Sequence, residues 1–525
     1  MTFSQKLYKK IKSFKNEIAI SKGKKTITYE ILNETSQKIA SLFNNNNLNQ
    51  KIVGIVGQRN FSVYYGILGS IYSNCTYVPI NEKYTQDRII KIIEESGISI
   101  LIGNKKSIFS IKDAINSTNI KIILFPEEED AEAINILPTH INYFYKSDLL
   151  TLKPIPPLKL SPSHIFYILF TSGSTGNPKG VMVTDENLDL FIKNTNNFYD
   201  LPIGYKSSQT FDLGFDPSVV DMFFTWFNGG QLCLLDQEEL IMPFDYINRE
   251  KIDFWYSVPT LISFMYKMGY LMPNSFPTLK YSVFSGEPLP KQLCDAWQEA
   301  APNSTIENYY GPTEATVNIT RFLYKKEFIN RSFNNEILPI GTIFNEHSFA
   351  IVDERFNKIK KGEKGQLIIK GKQLAKGYIN EIEKTKKVFR KMSWDLSSET
   401  WYLTGDIAFV NTFDEIEYIG RIDNQLKIAG RRIETGEIEG AILKSNLIKD
   451  IVIVPKKDLD GSVKSLIGFT TSQISNDERN NINKCALKYI EKLFLPSKII
   501  VIEKMPETSS GKTDRKKLFN IAQSL

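Results

Sequence analysis

The stretch Phe170-Thr-Ser-Gly-Ser-Thr-Gly-Asn-Pro-Lys-Gly180 begins where the apolar run Ile165–Phe170 ends, and such a run is typical of a buried strand. Glycines, hydroxyl side chains and a lysine are concentrated within it. Backbone N–H groups in such a loop, together with hydroxyls and an ammonium, suit a polyphosphate ligand. A glycine- and serine-rich surface turn would account for the glycines but not for the whole composition. The stretch therefore predicts a phosphate-binding loop at the end of a strand.

This loop differs from the phosphate loop of ordinary P-loop NTPases. The spacing G-x-x-x-x-G-K-[ST] fails because Pro178 stands five residues after Gly173. The segment Ser510-Gly-Lys-Thr513 imitates the end of the same motif, but Pro506 stands where the motif requires its first glycine. Neither segment therefore predicts an ordinary P-loop enzyme.

Composition places the chain among soluble globular proteins rather than disordered ones. It has 525 residues, of which 42% are hydrophobic and 12% aromatic, enough to bury a large core. The net charge of +6, from 65 Lys and Arg against 59 Asp and Glu, is mild for this length. The short basic clusters Lys22–Lys25 and Arg515–Lys517 do not alternate with aromatic residues, so we expect no nucleic-acid partner.

The few cysteines and histidines lie far apart in the sequence. Cys75, Cys233, Cys294 and Cys485 form no CxxC pair, and the histidines are isolated, which argues against zinc or a disulfide framework. No apolar run approaches the roughly 20 residues of a membrane span, and the lysine-rich N-terminus lacks a long apolar stretch. We therefore expect a cytoplasmic protein without a secretory signal or membrane insertion.

Short apolar runs alternate with amphipathic segments over much of the chain. Ile52–Val56 and Tyr281–Phe284 are typical of buried strands, whereas Asp87–Glu95 and Leu289–Glu299 have helical periodicity. This alternation predicts parallel sheets covered by helices on both faces. After about residue 340 the strands become short, with glycine-rich turns. That change predicts a smaller β-rich unit, followed by a terminal α+β piece from about residue 424.

Two further motifs contain side chains suited to a nucleotide. In Asn308-Tyr-Tyr-Gly-Pro-Thr-Glu314 an aromatic ring beside a tight Gly-Pro turn can stack on a base, and Glu314 can hold Mg²⁺ through oxygen. In Tyr402-Leu-Thr-Gly-Asp406 the carboxylate can accept hydrogen bonds from both hydroxyls of a ribose. Each motif is weak by itself, so their joint occurrence in this order is what carries the prediction.

Taken in order, these motifs resemble those of the adenylate-forming superfamily, which comprises acyl-CoA synthetases, luciferases and peptide-synthetase adenylation domains. The resemblance covers nearly the whole chain, from Ile27–Leu32 to Lys512. It implies an α/β fold in which residues 1–422 form a large N-terminal domain of two helix-covered sheets plus a small β-barrel. It also implies that residues 423–525 form a small, mobile α+β domain, with Asp423 as the hinge and Lys512 as the catalytic lysine.

The resemblance implies two half-reactions, with ATP and Mg²⁺ as cofactors. A carboxylate first attacks the α-phosphorus of ATP, giving an acyl-adenylate and pyrophosphate, and a thiol then attacks the adenylate to give a thioester. Lys512 would bridge the carboxylate and the phosphate, and Glu314 would ligate Mg²⁺. Tyr310 would stack on adenine and Asp406 would bind the ribose. The implied ATP-binding residues are Thr171, Ser172, Thr175, Lys179, Asn308, Tyr309, Tyr310, Gly311, Pro312, Thr313, Asp406 and Arg421.

Asp216, in Phe215-Asp-Pro-Ser218, makes the amino-acid-activating branch the most similar one. In that branch this aspartate pairs with the α-ammonium of the substrate, although composition alone also fits a helix N-cap. The surrounding motifs are similar to those of D-alanine–carrier-protein ligases, which implies a separate phosphopantetheinylated carrier protein as partner. The implied substrate pocket comprises Asp216, Pro217, Val220, Tyr256, Val283, Ser285, Tyr309, Val317, Asn318 and Lys512.

The pocket residues predict a small amino acid such as alanine. Tyr256 and Tyr309 narrow the pocket, while Ser285 and Asn318 can hydrogen-bond a polar group. D-Alanine ligases usually have cysteine in place of Ser285, so proline, serine and L-alanine remain open beside D-alanine. Two other activities also remain open. One is an acyl-CoA synthetase acting on a non-amino carboxylic acid, against which Asp216 argues, and the other is a catalytically silent nucleotide-binding relative.

Overall fold

The computed structural model describes residues 1–129, 137–159, 161–172, 178–397, 399–423, 425–458, 462–507 and 513–525, apart from the side chains of residues 329 and 330. Two large sheets with helices packed against them, an antiparallel sheet and a small α+β region make up this part of the chain. The predicted α/β fold class is therefore confirmed. No helix among these residues is long and apolar enough to cross a membrane.

The first large sheet has seven strands, of which six run parallel and one edge strand is antiparallel. Ile52–Val56 lies inside this sheet and pairs in parallel with a strand on each side. A continuous apolar strand is what a sheet covered on both faces requires. In spatial order the strands are Asn142–Tyr145, Ile122–Phe125, Ile100–Gly103, Ile52–Val56, Thr76–Ile80, Ile165–Thr171 and Lys179–Thr184.

The second large sheet has nine strands, with six adjacent parallel strands flanked by antiparallel ones. The predicted strand Tyr281–Phe284 is confirmed as Tyr281–Ser285, parallel to both of its neighbours. The carboxyl ends of the parallel strands share one edge, which is where ligand sites form in such sheets. In spatial order the strands are Thr342–Ile343, Thr320–Tyr324, Thr305–Tyr310, Tyr281–Ser285, Phe254–Ser257, Lys206–Gln209, Gln231–Leu234, Ile18–Lys22 and Lys25–Thr28.

The predicted helices Asp87–Glu95 and Leu289–Glu299 are confirmed as Gln86–Ser96 and Lys291–Ala300. Each predicted boundary lies within two residues of the observed one, since helical periodicity defines a helix more sharply than its ends. The α-helices of the described chain are Phe3–Ser13, Tyr29–Asn45, Phe61–Tyr72, Gln86–Ser96, Lys105–Ser110, Lys112–Asn116, Lys146–Leu150, Asp185–Asn196, Pro217–Val219, Thr225–Phe227, Phe244–Glu250, Pro259–Lys267, Lys291–Ala300, Ile382–Val388, Thr435–Leu443, Asn476–Ala486 and Arg515–Ser524.

The helix Tyr29–Asn45 illustrates how local sequence and packing agree. Thr28 caps it by accepting a hydrogen bond from the Ile31 amide, and buried residues recur along one face at helical spacing. On the facing helix, a Cβ added to Gly69 would lie 2.6 Å from the Ile39 side chain. Because that space is taken, only glycine allows the two helices to pack this closely.

The predicted small β-barrel is an open half-barrel of antiparallel strands in the described chain. Its strands are His347–Val352, Gly365–Gly371, Phe389–Arg390, Trp401–Val410 and Ile416–Arg421. The terminal region then supplies a hairpin and a three-stranded sheet, with strands Gln425–Ile428, Arg431–Glu434, Val452–Lys457, Val463–Thr470 and Lys498–Val501. The expected domain boundary at residue 422 falls between the half-barrel and this hairpin, and it stays a prediction.

Candidate active site

A cavity of about 530 Å³, here called the first cavity, opens where parallel strands of the nine-stranded sheet end. A second cavity of about 740 Å³ adjoins it, and both are bordered by Gly286, Gly311, Arg421 and Lys427. The two cavities bring together most of the predicted site residues. The first is bordered by Thr171, Ser172, Asp216, Pro217, Ser285, Gly311, Pro312, Thr313, Val317, Asn318, Asp406 and Arg421, and the second by Asn308, Tyr309, Tyr310, Arg421 and Asp423.

Thr171, Ser172 and Lys179 bring hydroxyls and an ammonium to one side of the site. Thr171 ends one strand and pairs with Lys179, which begins the antiparallel neighbour. Ser172 donates a hydrogen bond of 2.7 Å to the carbonyl oxygen of Arg432, whereas Thr171 Oγ1 has no hydrogen-bond partner within the described chain. The Lys179 ammonium lies 5.2 Å from the centre of the Tyr378 ring, and burial together with Arg432 lowers its pKa.

Glu314 is a fully buried carboxylate held by cationic and hydroxyl groups. Tyr378 donates its hydroxyl to Oε1 at 2.7 Å, and Arg432 Nη1 lies 3.2 Å from Oε2. Burial raises the pKa of this carboxyl, but the charges of Arg432 and Lys179 and the Tyr378 hydrogen bond together outweigh burial and lower the pKa to about 2. Glu314 is therefore ionised at neutral pH, as a metal ligand must be.

The fit of this site to Mg²⁺ depends on what else the ion carries. Among the residues that the structure describes, no group of three or more His, Cys, Asp or Glu side chains could hold a metal ion. Glu314 thus offers one carboxylate, and Mg²⁺ is commonly held by one or two carboxylates plus substrate phosphates and water. The site suits a metal–nucleotide complex rather than an ion bound by the protein alone.

Asp406 is held from two sides at the border between the two cavities. Tyr310 donates its hydroxyl to Oδ2 at 2.5 Å, and Arg421 Nη1 donates to Oδ1 at 2.6 Å. Arg421 also forms a bidentate pair with Asp423, with both N–O distances at 2.7 Å. The Lys427 ammonium lies 5.8 Å from the centre of the Tyr310 ring. A carboxylate, an aromatic ring and a cation therefore converge at one place, as recognition of a nucleoside requires.

Asn308 and Tyr309 use their polar groups within the protein. Asn308 Nδ2 donates to the Pro339 carbonyl oxygen at 2.8 Å, and the Tyr309 hydroxyl lies 2.6 Å from that of Tyr199. Both residues nevertheless border the second cavity. Their side chains therefore shape this wall, while their hydrogen-bonding groups are already engaged.

Gly311, Pro312 and Thr313 form the turn between the strand that ends at Tyr310 and the buried Glu314. All three border the first cavity. A Cβ added to Gly311 would lie 2.3 Å from the carbonyl oxygen of Val317, so only glycine fits there. This close approach holds the turn and fixes the shape of the cavity wall.

Asp216 borders the first cavity without the capping role that composition also allowed. It occupies the N-cap position of the short helix Pro217–Val219, yet its side chain makes no capping hydrogen bond. Burial raises its pKa to about 7, and the Thr313 hydrogen bond and the Lys427 charge offset part of this effect. A ligand bearing an ammonium group would restore the ionised form through a charge-assisted contact.

A closed hydrogen-bonded cluster lies beside the first cavity, which Ser285 and Asn318 border while Tyr256 lies behind them. The Tyr256 hydroxyl lies 2.7 Å from Ser285 Oγ, and Asn318 Nδ2 donates to the same hydroxyl at 2.8 Å. All three residues are buried, as are the predicted pocket residues Val220, Val283, Tyr309 and Val317. A side chain that enters this subsite meets polar groups that already satisfy one another.

The hairpin of residues 425–434 in the terminal region closes one side of the first cavity. The Gly430 amide donates to Glu287 Oε1 at 2.9 Å, and Lys427, Ala429 and Gly430 border the cavity. Burial lowers the pKa of Lys427. The predicted site residues Thr175 and Lys512 lie outside the described residues.

Several residues of the site were not singled out from sequence. Glu287 lies in Ser285–Pro290 and Arg432 in Gly420–Glu439, two further segments that resemble those of the adenylate-forming superfamily, so their positions carried a usable signal. Tyr378 lies outside every quoted motif, and only the folded structure brings it to Glu314.

The two mixed sheets, the half-barrel and the small α+β region together make up the adenylation fold. The structure aligns with the solved Vibrio cholerae adenylation domain AlmE in complex with glycyl-adenosine-5'-phosphate, with a TM-score of 0.88 and 25% identity. That alignment covers 100% of this chain and 98% of AlmE.

The chain belongs to the AMP-binding enzyme family, whose model matches residues 7–379. It is 29% identical to zwittermicin A synthase ZmaJ of Bacillus cereus, over 96% of this chain and 92% of that protein. It is also 29% identical to a D-alanine--D-alanyl carrier protein ligase of Bacillus velezensis, over 94% of each chain. The predicted superfamily and its amino-acid-activating, peptide-synthetase-like branch are therefore confirmed. Family membership implies that the protein is an AMP-forming, adenylating ligase that uses ATP.

Proposed function

We propose that this protein activates a small amino acid as its adenylate and then transfers it to the phosphopantetheine thiol of a separate carrier protein. The observation that carries the proposal is Asp216, a carboxyl in the first cavity that makes no capping bond and whose pKa is raised to about 7 by burial. An α-ammonium would add a direct ion pair to the Thr313 hydrogen bond and the Lys427 charge that already act on this carboxyl. With a substrate that lacks an amine, no opposite charge would offset the free-energy cost of ionising Asp216.

In the first half-reaction, a substrate carboxylate oxygen attacks the α-phosphorus of ATP, and the bond to the leaving pyrophosphate breaks. Positioning and charge neutralisation carry such a step. Lys512 would bridge the substrate carboxylate and the phosphate, Asp406 would bind the ribose, and Tyr310 would stack on adenine. The remaining nucleotide contacts would come from Thr171, Ser172, Thr175, Lys179, Asn308, Tyr309, Gly311, Pro312, Thr313 and Arg421.

Mg²⁺ bound to the triphosphate would neutralise phosphate charge, and Glu314 would hold it through its ionised carboxylate. In the described arrangement Arg432 occupies that carboxylate instead. Because a guanidinium and a metal ion compete for the same oxygens, the contact suits the stage after pyrophosphate and its metal have left. At that stage the charge of Glu314 is balanced by Arg432 and Lys179 rather than by a metal ion.

In the second half-reaction, the thiol sulfur attacks the adenylate carbonyl carbon, AMP leaves, and the thiol proton is lost to solvent. Lys427, Ala429 and Gly430 border the first cavity, and the resemblance implies that this loop faces the site during this step. The terminal domain, residues 423–525, would turn about Asp423 between the two half-reactions. Its contact with Arg421 would then change with the turn, since a hinge must absorb a backbone rotation. Because the reaction consumes ATP, we propose that it takes place in the cytoplasm.

The closed cluster of Tyr256, Ser285 and Asn318 supports a small side chain on the substrate. These groups hydrogen-bond to one another, so a polar side chain would have to break contacts of 2.7 and 2.8 Å before forming its own. Glycine and alanine have no polar side chain and would leave these hydrogen bonds intact. They are therefore the favoured substrates, and AlmE, a similar protein, was solved with a glycyl-adenylate.

The test is amino-acid-dependent ATP–pyrophosphate exchange with glycine, the L-amino acids, D-alanine and D-serine. We expect exchange with glycine or alanine, which is lost in Asp216→Ala and Lys512→Ala. Asp245→Ala, which removes an exposed aspartate on the helix Phe244–Glu250, is the matched control and should keep full exchange. Thioester formation is then followed by mass spectrometry with a phosphopantetheinylated carrier protein, and free coenzyme A is tried in parallel.

Each outcome of these assays decides between named activities. Exchange with non-amino carboxylic acids alone, and thioesters on free coenzyme A, would replace the proposal by an acyl-CoA synthetase. Nucleotide binding without exchange on any acid would make the protein a catalytically silent relative.

A further inference from the structure

Arg431, in the hairpin of residues 425–434, joins carboxylates from two parts of the chain. Its Nη2 lies 2.9 Å from Asp212 Oδ2, in the segment that follows a strand of the nine-stranded sheet. Its Nη1 bonds to Glu491 of the terminal region. The guanidinium also lies 5.5 Å from the centre of the Phe215 ring, next to Asp216 in sequence. One side chain thus connects the terminal region to the wall of the first cavity.

Asp212 is prepared for this contact by residues of the large domain alone. Arg59 Nη1 donates to Oδ1 at 3.3 Å, and Asn81 Nδ2 donates to Oδ2 at 3.2 Å. Arg59 is itself held by hydrogen bonds to the carbonyl oxygens of Gln209 and Thr210. The carboxylate therefore has a fixed position, and little side-chain entropy remains to be lost when Arg431 arrives.

Burial distinguishes this ion pair from the exposed pair of Lys267 and Asp458. Two further pairs between the same parts, Arg88–Glu437 and Arg432–Glu314, are also partly or fully buried. The side chains of Arg431 and Asp212 are 25% and 15% exposed, whereas Lys267, which lies 3.1 Å from Asp458, is 59% exposed. Exposed pairs are screened by solvent and contribute little, while partly buried pairs with fixed geometry contribute more. Arginine suits this position because its planar guanidinium presents separate N–H groups to two carboxylates. The single ammonium of a lysine cannot reach both with the same geometry.

We propose that the Arg431–Asp212 pair is a positioning contact that holds the hairpin against the first cavity and so favours the thioester-forming half-reaction. This inference rests on the proposed function, because it assumes that the terminal domain must leave this position for the first half-reaction. Breaking the pair then weakens the arrangement in which Lys427–Gly430 face the cavity. Thioester formation should fall, while pyrophosphate exchange should hold or rise.

The position of the terminal domain can be measured without any catalysis. Asp458 lies 3.1 Å from Lys267 of the large domain and 3.4 Å from Lys464 of its own region. A carbodiimide joins a lysine to a carboxylate only when the two are in contact. The Lys267–Asp458 link, quantified by mass spectrometry after proteolysis, reports the domain position, and the Lys464–Asp458 link is an internal control.

The variants are Arg431→Ala, Asp212→Asn and the double variant, with Arg479→Ala as matched control. Arg479 belongs to the terminal region and bonds the Ile499 carbonyl oxygen of that region. We expect Arg431→Ala to lower the Lys267–Asp458 link about five-fold relative to the internal link, as loss of one partly buried pair implies. Asp212→Asn should act similarly, and the double variant should add little, since both remove one interaction. Arg431→Lys should restore part of the link.

The same variants are then assayed for both half-reactions in the full-length protein. The expected result is a several-fold drop in thioester formation with unchanged or faster pyrophosphate exchange. Equal losses in both half-reactions together with a lower Tm would show a merely structural contact and overturn the inference. An unchanged link ratio would overturn it too, even in an active enzyme. If the wild-type protein supports no exchange, the proposed function fails, and the crosslink ratio still decides whether the pair sets the domain position.

Discussion

The Tyr310 hydroxyl donates a hydrogen bond of 2.5 Å to Asp406, and the two residues belong to different sheets. Tyr310 ends a parallel strand of the nine-stranded sheet, whereas Asp406 lies within a strand of the half-barrel. Arg421, on the neighbouring half-barrel strand, donates to the other carboxylate oxygen at 2.6 Å. The proposed nucleoside site is therefore built across a junction between sheets, and its geometry depends on how those sheets pack.

Replacing Tyr310 should separate its stacking from its hydrogen bond. Tyr310→Phe keeps the ring but removes a donor to a charged group, so we expect the KM for ATP to rise roughly ten-fold. Tyr310→Ala removes the ring as well, and the rise should be several times larger. The ATP dependence of pyrophosphate exchange measures both. The control is Tyr143→Phe, in the seven-stranded sheet, which removes a hydroxyl that donates to the Pro138 carbonyl oxygen. This variant should leave the KM for ATP unchanged.

The pH dependence of substrate use should follow Asp216. Its pKa of about 7 means that the carboxyl is protonated in the free protein at lower pH, and only the ionised form attracts an ammonium. We expect kcat/KM for the amino acid to fall about ten-fold per pH unit below about 7 and to level off above it. Asp216→Asn should give a low value without this slope. A wild-type profile that is flat between pH 5 and 8 would contradict the role of Asp216.

The same carboxyl should make the wild-type protein less stable as the pH rises. The folded pKa of Asp216 is raised from 3.8 to about 7, so the unfolded chain ionises first and unfolding is favoured increasingly between these two values. Asp216→Asn removes this effect. We expect the Tm of the variant, relative to wild type, to increase from about pH 4 to pH 7 and then stay constant. Thermal denaturation across this range measures the difference, and a difference that does not change with pH would contradict the shift.

Motif order predicted contacts that are remote in sequence, but only where both residues stand in motifs. Tyr310 and Asp406 are 96 residues apart, and their separate matches to nucleotide-binding motifs predicted that they would meet at one ligand. Arg431 and Asp212, 219 residues apart, are not marked by any single-residue signal in the sequence. Their contact depends on how the terminal region docks, which local patterns do not specify.

The direction in which side chains point was the other feature that the sequence did not predict. Tyr309 and Tyr310 are adjacent on one strand, and successive side chains of a strand point to opposite faces. The Tyr310 hydroxyl therefore meets Asp406, while that of Tyr309 meets Tyr199. The expectation that Tyr256 and Tyr309 both narrow the substrate pocket needed the register of this strand. Composition and motif spacing do not contain that register.

Tyr256→Phe should change which amino acid the protein prefers. Without the hydroxyl, Ser285 and Asn318 lose their shared partner, and room for one oxygen atom opens between them. A serine hydroxyl can fill that gap, so we expect kcat/KM for serine relative to glycine to rise about ten-fold. Exchange rates with glycine, alanine and serine measure the ratio. Tyr246→Phe, which removes a buried hydroxyl that bonds the Cys233 carbonyl, is the control. An equal loss for all three substrates would show that Tyr256 does not set selectivity.

Glu314→Gln should raise the Mg²⁺ concentration that half-maximal exchange requires. The carboxylate is ionised and fully buried, and an amide of the same shape cannot replace its charge toward a metal–triphosphate complex. We expect a shift of at least about ten-fold, since a charged contact in a buried site contributes more than a neutral one. The variant also leaves Arg432 and Lys179 without their anion, so the Tm should fall. Tyr378→Phe removes the hydrogen bond to Glu314 but keeps its charge, and should leave the Mg²⁺ dependence close to wild type. If Glu314→Gln lowers the Tm while the Mg²⁺ dependence stays constant, Glu314 serves only the pair with Arg432 and does not hold the metal.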